Sequence, residues 1–75
     1  MDLWIRSQDK NMLVKVDNLQ IIHFEADYCI CNNNIVLGSY KTKERAMEIL
    51  AAIEYKISRT VGSTVRFVKY TMPEK

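Results

Sequence analysis

The sequence predicts an α+β domain: an antiparallel β-meander of about five strands, one amphipathic helix packed on it, and a C-terminal strand. Three observations predict it. Apolar residues recur at three- and four-residue spacing from Thr42 to about Arg59. Short runs of period-two alternation, separated by turns rich in Asp and Asn, fill the chain before that helix. Alternation resumes after Gly62. The 75 residues read as a single domain, 1–75, with no linker, repeat or low-complexity tract. A chain this short buries only roughly 60% of the surface its unfolded form exposes, so a partner subunit is an expected source of stability.

The elements follow in order. Leu3, Ile5 and Ser7 alternate with Trp4, Arg6 and Gln8, which suits a half-buried strand, and Asp9-Lys10-Asn11 supplies the turn after it. Met12 to Val16 forms the second strand, and Asp17-Asn18 suits a tight connection to a third, Gln20 to Glu25. Glu25-Ala26-Asp27 interrupts the apolar pattern before the fourth, Tyr28 to Cys31. Asn32-Asn33-Asn34 then offers side chains that tolerate positive φ. Ile35 to Tyr40 is the fifth, and Gly38 within it marks a bulge or a place where a neighbouring side chain crosses the sheet.

Thr42 is placed to cap the helix, Glu44 lies in its favourably polarised first turn, and Ala46, Ile49, Leu50, Ile53 and Ile57 make one apolar stripe. Gly62 suits a left-handed C-cap. From Thr64 to Met72, Val65 and Phe67 alternate with Arg66, Val68, Tyr70 and Met72, and pairing should stop before Pro73, which has no N–H to donate.

Composition excludes several classes. With 48% hydrophobic and 27% charged residues the chain is too apolar for intrinsic disorder. A net charge of +2 lacks the strongly basic signature of phosphate-backbone binders, although Lys56, Arg59, Arg66, Lys69 and Lys75 concentrate positive charge in the last twenty residues. No stretch approaches the apolar length of a membrane span, and no secretory leader pattern opens the sequence, so a cytoplasmic protein is expected. Cys29 and Cys31, two apart on one strand, meet disulfide geometry poorly and read as reduced thiols.

Several segments together resemble a family of short proteins of Gram-positive bacteria and their phages. They are Trp4-Ile5-Arg6-Ser7-Gln8, Leu13-Val14, Leu37-Gly38-Ser39-Tyr40 leading to Glu44-Arg45-Ala46, Ile49-Leu50, and Tyr70-Thr71-Met72-Pro73. The resemblance covers nearly the whole chain. It implies a phage or mobile-element origin and nothing catalytic; in a phage, the cytoplasm in question is the host's.

The chemistry-bearing residues are few. His23, Cys29 and Cys31 make too small a set for a structural zinc site unless a dimer doubles it, so no metal and no cofactor are expected. Cys31 and His23 on neighbouring strands would lack a third, orienting group. With only Gly38 and Gly62 there is no phosphate loop, and the chain reads as a non-enzyme. The candidate ligand-binding residues are Trp4, Arg6, Gln8, Arg66 and Lys69. An indole beside a guanidinium and an amide can stack a base and bond a phosphate, though Trp4 would equally serve as core with Arg6 stacked on it. Tyr55, off the apolar stripe, either covers a strand edge or belongs to a subunit contact.

Three functions remain open on these residues. The favoured one is a phage-type binding protein that counters host defence by sequestering a nucleotide-derived signal, a cyclic nucleotide or ADP-ribose derivative, in a homo-oligomer. The others are a nucleic-acid-binding accessory or regulator, and an interaction module that inhibits a host protein.

Overall fold

The computed structural model describes residues 2–60 and 66–75. Among these residues six strands and one helix follow in the order β1 (Asp2–Arg6), β2 (Leu13–Val16), β3 (Leu19–Phe24), β4 (Asp27–Asn32), β5 (Ile35–Tyr40), α1 (Lys43–Thr60) and β6 (Phe67–Thr71). The fold is α+β. The strands divide between two three-stranded sheets, ordered β2-β1-β6 and β3-β4-β5. The hairpin β1–β2 and the meander β3–β4–β5 are antiparallel as local turns require, whereas β6 returns to lie parallel to β1, pairing Trp4 with Lys69 and Ile5 with Tyr70.

Turn chemistry explains the hairpins. Ser7 Oγ donates to Asp9 Oδ1 at 2.5 Å and accepts from the Met12 N–H at 3.1 Å, while Lys10 takes a φ of 66°. That hydroxyl and the Asn11 N–H hold the Asp9 carboxyl below its ordinary pKa. The hydroxyl network ends β1 at Arg6, two residues before the expected strand does. Glu25, at φ 56°, and Asn33, at φ 55°, turn the other two hairpins. Asn32, buried at the end of β4, accepts from the Asp17 and Asn18 N–H groups and so ties the two sheets' connection to the meander.

The helix begins as its sequence requires. Thr42 Oγ1 accepts the Arg45 N–H at 3.1 Å, satisfying one of the donors a helix N-terminus leaves unpaired. Ala46, Ile49 and Ile53 are buried, with Leu50 and Ile57 packed beside them. They meet Ile5 of β1, Ile30 of β4, Leu37 and Tyr40 of β5, and Met72 after β6, so one core joins both sheets to the helix. The proposed Gly62 cap and the start of the expected last strand, Thr64-Val65, lie outside the described residues.

Gly38 shows both features expected of it. The β4–β5 register slips between Ile30 and Cys31, leaving Leu37 as the extra residue, and the Tyr40 ring crosses over the glycine. Tyr40 is 2% exposed and donates its hydroxyl to the Pro73 carbonyl at 2.8 Å. Burial, reinforced by Tyr70 and partly offset by Arg45, pushes its pKa from 10.0 up to about 12. A phenol whose folded pKa is raised contributes stability that is intact below pH 10 and lost as pH rises toward 12. Alkaline titration should therefore cost about 2 to 3 kcal/mol over that window. Denaturant melts at pH 9, 10.5 and 12 measure it; Tyr40→Phe should flatten the dependence, and an equal slope in both proteins would refute the assignment.

Candidate ligand-binding site

The side chains of the β2-β1-β6 sheet alternate between core and solvent. Leu3 and Ile5, Val14 and Val16, and Val68 and Tyr70 face inward. The opposite parity places Trp4 and Arg6 from β1, Leu13 and Lys15 from β2, and Phe67 and Lys69 from β6 on one outer face. The register sets Trp4 between Lys15 and Lys69 on its two neighbouring strands. Trp4, Leu13, Phe67 and Lys69 line an open depression of about 220 Å3. Phe67 is 57% exposed, and the Trp4 indole N–H makes no hydrogen bond among the described residues.

The cations of this face differ in how far they are engaged. Lys15 Nζ lies 3.6 Å from Asp2 Oδ1, both side chains exposed, so the pair contributes little to stability. Arg6 donates one guanidinium N–H to the Lys10 carbonyl at 3.1 Å, its one side-chain hydrogen bond among the described residues. Lys69 makes no ion pair among the described residues. Arg66 is exposed immediately before Phe67, its carbonyl accepting the Asp2 N–H at 3.0 Å.

No family model, curated protein or solved structure matches the chain.

Three of the five sequence-selected residues, Trp4, Arg6 and Lys69, thus share one face. Arg66, one residue before Phe67, has the opposite parity, that of Val68 and Tyr70, and Gln8 also lies elsewhere. Because β1 stops at Arg6, Gln8 turns toward the other sheet, its backbone N–H reaching the Leu37 carbonyl at 2.7 Å. Its amide accepts the Ser39 N–H at 2.9 Å and donates to the Ser39 and Glu74 carbonyls at 3.1 and 2.8 Å. The amide nitrogen and oxygen are both engaged by the backbone of the chain, so Gln8 is a cross-brace between β1 and the other sheet. The expected strand face of Trp4, Arg6 and Gln8 is corrected to Trp4 and Arg6.

Sequence reasoning missed Lys15, Leu13 and Phe67 as neighbours of Trp4. The alternation carried the parity of each residue, but their adjacency follows from a hairpin register and a parallel pairing that the pattern does not encode.

The thiols and the imidazole are separated. Cys29 and Cys31 pair across to Ile22 and Gln20 on the outer face of the β3-β4-β5 sheet, while His23 lies on the opposite face, stacked on Tyr28 with centroids 4.3 Å apart. Cys31 and His23 therefore do not form a nucleophile–base pair. Both cysteines are free and buried, and burial, with Cys29 beside it, raises the Cys31 pKa, which leaves that thiol protonated and a poor nucleophile. No group of three or more His, Cys, Asp or Glu side chains fit to hold a metal occurs among the described residues. Tyr55 covers no strand edge: it is 61% exposed on the helix, with the Arg59 guanidinium 5.7 Å from its ring and donating to its hydroxyl. Among the described residues no helix is long and apolar enough to cross a membrane.

Proposed function

We propose that this is a non-enzymatic binding protein whose β2-β1-β6 outer face takes a nucleotide-type ligand, a planar base with attached phosphate. Trp4 stacks on the base, and Lys69, Arg6 and Lys15 hold the phosphate. The observation that carries the reading is the register Lys15–Trp4–Lys69, with exposed Phe67 alongside. Aromatic faces with cations on either side suit this ligand because stacking accepts any base while the cations meet the charge. Sequestration of a nucleotide-derived signal in a homo-oligomer, the role a phage protein acting against host defence would fill, follows from that chemistry together with the family resemblance.

A second reading is favoured by one feature. The depression beside Trp4, about 220 Å3 and open, is smaller than the roughly 300–1,000 Å3 that encloses a small molecule, and Trp4 and Phe67 on adjacent strands offer two stacking positions. A short single strand of nucleic acid would use both.

Trp4 is the sole tryptophan, so its fluorescence reports on the site directly. Cyclic dinucleotides, ADP-ribose and a short oligothymidylate are titrated in turn, and at least one should quench it. Lys69→Ala should weaken that binding by about fivefold or more, as loss of a charge-assisted contact implies, and Phe67→Ala should weaken the oligonucleotide selectively. A steep loss of binding with salt identifies the polymer. Unchanged fluorescence with all three probes at millimolar concentration would sink the proposal.

A further inference from the structure

We infer that the chain pairs with a second copy of itself through the free edge of β3, extending the β3-β4-β5 sheet into one of six strands. Among the described residues each sheet has two edge strands, and three of the four edges carry a device that discourages pairing. The β5 edge is occupied by Gln8, through its N–H to Leu37 and its amide to Ser39. The four-residue β2 carries Lys15, and β6 carries Lys69. The β3 edge has none: Leu19–Phe24 holds no charged residue and no proline, and pairs with β4 in unbroken register over its full length.

Charge distribution selects a copy of this chain as the occupant. The outer face of this sheet presents Ile22, Phe24 and Val36 over the buried Cys29 and Cys31, and its charged pair, Asp27 with Lys41 at 3.4 Å, is internally neutralised. Such a face meets itself without like-charge repulsion, whereas the other sheet's outer face, with Arg6, Lys15 and Lys69, would repel its own copy. Ile22 is 42% and Phe24 64% exposed, so both have apolar surface left to bury.

Symmetry and side-chain parity then set the register. An antiparallel pairing about Ile22 places Ile22 against the partner's Ile22 and Gln20 against the partner's Phe24 on the outer face, with Ile21 facing the partner's His23 on the other. The neighbouring register about Ile21 would bring Asp17 against the partner's Glu25, and is disfavoured. Five residues a side and their side chains bury on the order of 1,000 Å2 in total, the size of weak, transient interfaces, so association is looked for around roughly micromolar affinity. This pairing stands independently of what the other sheet binds: a strictly monomeric protein would overturn it, and with it the homo-oligomer of the sequestration role, and leave the outer-face ligand site itself untouched.

Sedimentation equilibrium of the whole chain from about 5 to about 500 µM, a range set by that affinity, should show monomer passing to dimer. Ile22→Lys and Phe24→Lys should each weaken the dimer by about tenfold or more with the far-ultraviolet dichroism unchanged; Phe24 at its exposed hairpin keeps the test open if Ile22→Lys misfolds. Phe67→Lys, on the other sheet, should leave it intact. Mixing Ile22→Lys with Ile22→Asp should restore association, since the two positions face one another across the axis. Monomer throughout, an interface equally sensitive to Phe67→Lys, or no rescue on mixing would overturn the proposal.

Discussion

Gly38→Ala lowers stability by about 2 to 3 kcal/mol, with Gly38→Val worse. A Cβ built on Gly38 would stand 2.7 Å from Tyr40 Oη, 2.9 Å from its Cε2 and 3.1 Å from Met72 Cε. The ring is the far end of a side chain, but it cannot swing aside freely: it is buried, and its hydroxyl bonds the Pro73 carbonyl. Moving it forfeits packing at the centre of the core and that hydrogen bond, each worth about 1 to 3 kcal/mol. The better strand propensity of alanine or valine returns less than about 1 kcal/mol, so the clash decides the sign. A double-mutant cycle checks the cause. In a Tyr40→Ala background Gly38→Ala should be nearly neutral, giving a coupling of about 1 to 3 kcal/mol in urea unfolding; additive effects would show that the ring is not the obstacle.

The second large effect belongs to Gln8. Gln8→Glu should destabilise by about 1 to 3 kcal/mol at pH 7, more than Gln8→Ala, because it exchanges a donor of two hydrogen bonds for a carboxylate oxygen facing the Ser39 and Glu74 carbonyls. The two acceptors raise the introduced carboxyl's folded pKa above its unfolded value, so the deficit relative to the native protein should shrink as pH falls to about 4, where a protonated acid can donate again. Melting temperatures of both variants and the native chain at pH 7 and 4 measure this. The same experiment separates the brace from a ligand contact. A brace changes stability and leaves affinity for the outer-face ligand nearly unaltered, whereas a Gln8→Ala variant with native melting and lost binding would restore Gln8 to the site.

These two positions mark how much of the molecule was legible from its residues. Gly38 was readable because a lone glycine inside an alternating strand has few physical reasons to be there, and both of them, the bulge and the crossing ring, are present. Gln8 was misplaced for an equally physical reason. Alternation carried the strand through Ser7 and Gln8, but Ser7 uses its hydroxyl to close the turn on Asp9 and Met12, and side chain to backbone bonding of that kind ends strands without disturbing the hydrophobic pattern.

The sequence alone determined what is local: the helix with its Thr42 cap and apolar stripe, five strands and their turns before it, and, Ser7 and Gln8 apart, which side chains of each strand share a face. Those follow from periodicity and from hydrogen bonds that reach no more than a few residues. Only the tertiary structure decided how the strands are shared between two sheets, that β6 runs parallel to β1, and therefore that Trp4 lies between Lys15 and Lys69 with Phe67 at its side. Contacts between residues more than sixty positions apart depend on which faces find each other when the core closes, and the pattern within a strand contains no term for its partner.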